Sequence, residues 1–174
     1  MKTPNQHLKP QDVLLMLKIV SDNNPAWSQS PVAADLGLSQ SEVSEAVARG
    51  IYAGLIAPGG KTVMRSGLME FLQYGLRYVF PIKPGAVVRG VPTSHSASPL
   101  KELIVSSEAY VWPYGKGTVR GHSIMPLYPS VPEAALKDAN LHQLLALADA
   151  LRVGRARERN LAVEILKKRL GLAE

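Results

Sequence analysis

The side chains with the most evident chemical purpose lie between Ser39 and Arg65. Ser39, Gln40, Ser41, Ser44 and Arg49 fall on one turn-and-helix stretch, SQSEVSEAVAR. Short hydroxyls, an amide and a guanidinium at this spacing offer donors and acceptors from a slim polar ridge. Such a ridge fits the major groove of a duplex, where base edges present their own donors and acceptors. Lys61 and Arg65 follow a Pro-Gly-Gly turn and are suited to phosphate contact. A second cluster, Arg152, Arg155, Arg157 and Arg159, forms the densest run of positive charge in the chain. It is suited to phosphate or to an acidic protein partner.

Other chemistries find less support. The histidines are His7, His95, His122 and His142, and none has the spacing of a metal-ligand pair. Cysteine is absent, which removes thiol catalysis, disulfides and zinc fingers. Thr93-Ser94-His95-Ser96 places hydroxyls beside a histidine, yet sequence neighbours rarely have triad geometry. Gly115-Lys116-Gly117 lacks the phosphate-loop spacing and reads as a turn. The expectation is therefore no catalytic residue, no metal and no cofactor: not an enzyme. Trp112, Tyr114 and His122 are candidates to line a small effector pocket.

These residues need elements to hold them. Pro10 to Val20 has a broad apolar stripe and reads as an opening helix. Trp27 is expected to pack behind the ridge. Ser30 to Leu36 reads as the next helix, with Ser30 as its cap and Pro31 in its first turn. Gly37 ends it in a left-handed conformation. Ser39-x-x-Glu42 is a capping box opening a helix from Gln40 to Ala53. Val43, Ala46, Val47, Gly50, Ile51 and Gly54 are its inward face. Gln40, Ser41, Ser44, Glu45, Ala48, Arg49 and Tyr52 are expected outward. Two apolar runs flanking Pro58-Gly59-Gly60-Lys61 signal a hairpin. Ser66 to Val79 reads as a linker helix that packs on a second subunit or on the next region.

Residues 86–132 change character. Segments 86–91, 110–112 and 118–124 read as short strands, the last two joined by a turn at 113–117. Ser98 to Val105 reads as a short capped helix. Helices follow at 131–136, across Leu141 to Leu151, and from Arg155 to Leu170, with Gly154 as a break. A boundary is expected at Pro81–Gly85, giving region 1–80 and region 81–174.

Charge is uneven. The formal net is +6. Residues 1–80 hold seven Lys/Arg and six Asp/Glu, and residues 81–174 hold thirteen and eight, so the excess lies in the second half. No apolar run approaches a membrane span, and MKTPNQHLKP lacks the apolar core of a leader, which suggests a cytoplasmic protein.

The stretches VAADLGLSQSEVSEAVARGIYAGLI and APGGKTV, in this order behind an opening helix, resemble the bacterial winged-helix transcription regulators of the MarR and IclR types. The likeness covers about residues 8–80. It implies an N-terminal winged helix-turn-helix with a linker helix over that stretch; with the strands and helices read at 86–170, the expectation is an α+β protein in which this domain is followed by a small α+β domain and C-terminal helices. It also implies a homodimer on double-stranded DNA, with the helix from Gln40 to Ala53 in the major groove and the wing on the backbone. A looser likeness, to antitoxin and autoregulator proteins encoded beside abortive-infection toxins, implies that the second region docks a protein partner.

Overall fold

The computed structural model describes residues 6–173; Met1–Asn5, part of the stretch read as lacking a leader, and Glu174 lie outside the described residues. Among the described residues there are eight α-helices and three short strands. The helices are α1 (Pro10–Asp22), α2 (Gln29–Leu36), α3 (Gln40–Tyr52), α4 (Arg65–Tyr74), α5 (Leu76–Val79), α6 (Val131–Lys137), α7 (Ala139–Val153) and α8 (Ala156–Arg169). The strands are β1 (Val87–Pro92), β2 (Tyr110–Pro113) and β3 (Val119–Ser123). The protein is thus α+β. No helix of the described residues is long and apolar enough to cross a membrane.

Local chemistry explains most boundaries. Asn23 closes α1 in the left-handed region with φ 46°, and Gly37 closes α2 with φ 67°. Ser28, not Ser30, occupies the cap position of α2, which starts at Gln29 and puts Pro31 third in the helix. The expected Ser66 to Val79 helix is two pieces, α4 and α5, parted at Gly75. Residues 98–105 do not form the capped helix expected there. They hold a single 3₁₀ turn, Leu100–Glu102, and another, Ser94–Ser96, lies just before them.

The strands close on themselves. β1 pairs antiparallel with β2 through Val91↔Trp112 and with β3 through Arg89↔Arg120. β2 and β3 pair in parallel, Tyr110↔His122 and Val111↔Ser123, so the turn at 113–117 does not make a hairpin. Close backbone approach makes this crossing possible. A Cβ on Gly90 would lie 2.0 Å from the Trp112 carbonyl oxygen, and one on Gly117 would lie 2.3 Å from the Gly90 carbonyl oxygen. Only a residue without a side chain tolerates such proximity.

One hydrophobic core runs from Val13 to Leu170 and does not part at residues 80 and 81. Its centre is α7, whose Leu141, Leu144, Leu145, Leu147, Ala148 and Leu151 are all buried. Every residue from Leu144 to Arg152 is buried, as in a helix enclosed by its neighbours. α7 packs on α1 and α5 from the first half and on α6 and α8 from the second. Each fully buried leucine contributes about 2 kcal/mol, so this contact is a large share of stability.

Polar links reinforce the junction. Lys18 of α1 is buried and its ammonium meets Asp138 at 2.9 Å, Asp22 at 3.0 Å and Asp35 at 3.4 Å. Burial works to lower the lysine's pKa, but the bonds to Asp138 and Asp22 carry it above the ordinary lysine range. Asp138 also caps α7 by accepting from the Leu141 N–H at 3.0 Å. Ser130 donates to the Leu36 carbonyl at 2.6 Å and Tyr128 donates to Glu42 at 3.2 Å, so segment 128–130 clasps the α2–α3 turn.

Candidate nucleic-acid interface

The α2–α3 pair is joined by Gly37-Leu38-Ser39, with Leu38 buried. Ser39 Oγ accepts the Glu42 N–H at 3.0 Å, while Glu42 accepts the Ser39 N–H at 2.8 Å, completing the capping box. The Ser39 N–H bond, chiefly, holds the Glu42 carboxyl below its ordinary range. The start of α3 is therefore fixed by its own residues. Behind it, Ile56↔Val63 is a single antiparallel bridge, supported by Ala57 N–H to Thr62 O at 2.8 Å. The hairpin is very short.

The outward face of α3 is open. Gln40, Ser41, Ser44, Glu45, Ala48 and Tyr52 are exposed, while Val43, Ala46, Val47 and Gly50 are buried. Arg49 departs from the expected arrangement. It is 7% exposed, and its guanidinium donates through Nε and Nη2 to both carboxylate oxygens of Asp12, each at 2.8 Å. Asp12 is 1% exposed and needs such a partner, because an unpaired carboxylate inside the protein is very costly. Arg49 projects about 60° round the helix from the inward Ala46, near enough to turn into the core. It joins α1 to α3 and does not present itself to a duplex.

The expected phosphate contacts also have internal partners. Lys61 Nζ donates to the Trp27 carbonyl and lies 4.8 Å from the Trp27 ring centre, while Trp27 Nε1 donates to Lys61 O at 2.8 Å. Lys61 remains exposed. Arg65 is half-buried and donates to Asn23 Oδ1 at 3.0 Å and to Leu170 O at 3.4 Å.

The C-terminal cluster divides. Arg152 is buried and donates to Phe80 O at 2.9 Å, Met125 O at 3.2 Å and Asp149 at 3.0 Å. Asp149, fully enclosed, also accepts from Thr93 Oγ1 and Trp112 Nε1, both at 2.7 Å. Burial pushes its carboxyl up, and these three donors pull the other way. Arg152 is thus part of the core that fastens α7 to the strands. Arg155 and Arg157 are exposed and Arg159 is half-buried.

Trp112, Tyr114 and His122 do not converge. Trp112 is in the core, Tyr114 donates to Glu133 at 3.3 Å, and His122 donates to Gly85 O at 3.0 Å. His95 and His142 donate to separate carbonyls, Glu108 O and Pro92 O, each at 2.7 Å. A polar hollow of about 180 Å³ lies elsewhere, against the start of α8. His95, Ser107, Glu108, Tyr110, Arg155 and Glu158 line it. No sequence motif marks this site, because its residues come from three separated segments.

Comparison with protein-family models, with curated proteins and with solved structures finds no match.

Proposed function

We propose that the protein is a sequence-specific, cytoplasmic DNA-binding transcriptional regulator acting as a homodimer, with α2, α3 and the 56–63 hairpin as a winged helix-turn-helix. The observation that carries this reading is the uncovered face of α3, where Gln40, Ser41 and Ser44 stand exposed beside small Ala48. A ridge this slim can enter a major groove about 12 Å wide and offer hydrogen bonds to base edges. Ser39, Lys61 and Arg65 are the proposed phosphate contacts, the two cations leaving their internal partners to reach the backbone, and Arg49 serves the ridge by fixing α3 on α1. Binding is tested by gel shift with the DNA upstream of the protein's own coding region at two salt concentrations. Affinity that falls steeply with salt is expected from phosphate contact. Absence of any shift, with the protein folded, removes the reading.

A second reading is a protein-interaction module of antitoxin type, docking a partner through the second half. The internal employment of Arg49 and Arg152 favours it, since both guanidiniums are lost to a phosphate surface. Exposed Leu103, which shares a surface groove with Arg157 and Asn160, would be the docking face. Stoichiometric recovery of an acidic partner, without a DNA shift, would support this alternative.

A further inference from the structure

The hollow at the start of α8 has an unusual balance of unused groups. Arg155, the residue preceding α8, forms no ion pair with Glu108 or Glu158 within 4.0 Å among the described residues. No side chain caps α8, so the N–H groups of its first turn are open. The hydroxyls of Tyr110 and Ser107 have no protein partner, and Tyr110 feels Glu108, Arg155 and Glu158 together. His95 backs the same space at 7% exposure, with its Nε2 engaged on Glu108 O at 2.7 Å and its Nδ1 enclosed away from the opening. Convergent polar groups left unsatisfied around one concavity are what a small-molecule site looks like.

Charge decides the class of ligand. Two carboxylates face one guanidinium, and the α8 dipole adds roughly half a positive charge. The sum is slightly negative, so a simple anion is repelled by Glu108 and Glu158. A simple cation is repelled by Arg155. A molecule carrying both charges a few ångströms apart meets each with its opposite. We propose that this hollow binds a small zwitterion of the α-amino acid class, its carboxylate on Arg155 and the first N–H groups of α8, its ammonium on Glu158 and Glu108. The volume of about 180 Å³ suits a small or polar side chain, for which the Tyr110 and Ser107 hydroxyls are available. This site is independent of the DNA reading and stands or falls by itself.

The test is a thermal-shift and calorimetric screen of the full-length chain against the individual standard amino acids, with inorganic phosphate alongside. At about 100 times Kd, a bound amino acid should raise the unfolding midpoint by roughly 5–10 °C. Its methyl ester and its N-acetyl derivative, each missing one charge, should bind at least ~10-fold more weakly. Arg155→Gln and Glu158→Gln alter exposed or half-buried side chains, and each should cost ~10-fold or more in affinity while leaving the unliganded midpoint in place. The proposal is overturned if no amino acid binds. It is equally overturned if both variants bind one unchanged, or if phosphate binds as tightly and Glu158→Gln strengthens it.

Discussion

Arg49→Ala separates two roles for the same side chain. A residue touching DNA would, on truncation, weaken binding and leave stability alone. The structure gives the opposite expectation. The two 2.8 Å bonds to Asp12 vanish, and the carboxylate keeps only the Lys9 N–H, which it accepts at 2.9 Å. Breaking a buried pair from one side costs about 3–5 kcal/mol, because the stranded charge has no water to turn to. For a chain of this length that is a fall of roughly 10 °C in the unfolding midpoint. Arg49→Lys should recover only part, since an ammonium cannot bind both oxygens in a planar fork. The double replacement Asp12→Leu with Arg49→Met should be far milder than either single removal, because no charge is left behind. Urea denaturation of the parent, Asp12→Leu, Arg49→Met and the double variant gives the coupling directly as a double-mutant cycle. The reasoning is refuted if Arg49→Ala unfolds within about 0.5 kcal/mol of the parent, or if the double variant is as damaged as the sum of the singles.

Three further outcomes are expected. Lys18 has a raised pKa, so its contribution is complete below the unfolded value of about 10.4 and fades as pH climbs through the folded value. Asp138 is lowered, burial opposing and Lys18 prevailing, so its share is present above about 3.9 and fades as pH drops through the folded value. Asp138→Asn should therefore flatten the acid limb of stability measured by denaturation across pH. A parent and variant with parallel acid limbs would contradict this. Gly90→Ala drives a methyl into the Trp112 carbonyl, and a loss of about 3 kcal/mol or outright failure of the strand region is expected by denaturation. A fully stable variant would show that the crossing is wrongly described. Under the regulator reading, Gln40→Ala and Ser44→Ala should each cost about 1–3 kcal/mol of affinity, selectively for the cognate sequence. An equal loss on unrelated DNA would remove them as base readers.

The parts of the fold that were legible in the sequence are those decided within a few residues. The Ser39–Glu42 box, Gly37, the Gly154 break and the apolar periods of α1, α3 and α7 need no knowledge of distant neighbours. What escaped depends on long-range partners. Nothing near Arg49 announces Asp12, which is 37 residues away. Arg152 reads as one of a basic run until Asp149, Phe80 and Met125 surround it. The closing of the three strands on one another depends on Gly90 and Gly117, whose value lies in what they allow to approach. The hollow at α8 was invisible for the same reason, since residues near 95, 106–110 and 153–158 meet only after folding. The exposed ridge of α3 was legible. Arg49, which the helical period places outward, turns into the core by a modest rotation.

Because α7 sits against α1, the two regions cannot be dissected without harm. A chain stopped after residue 80 would take Asp138 from Lys18 and uncover the side of α1 on which α7 packs. Such a fragment should be insoluble or molten. Nicking the intact protein at Pro81–Gly85 should instead leave two pieces that travel together through gel filtration. Any activity of the first region is therefore held hostage to the second, which makes the tail a structural subunit of the head.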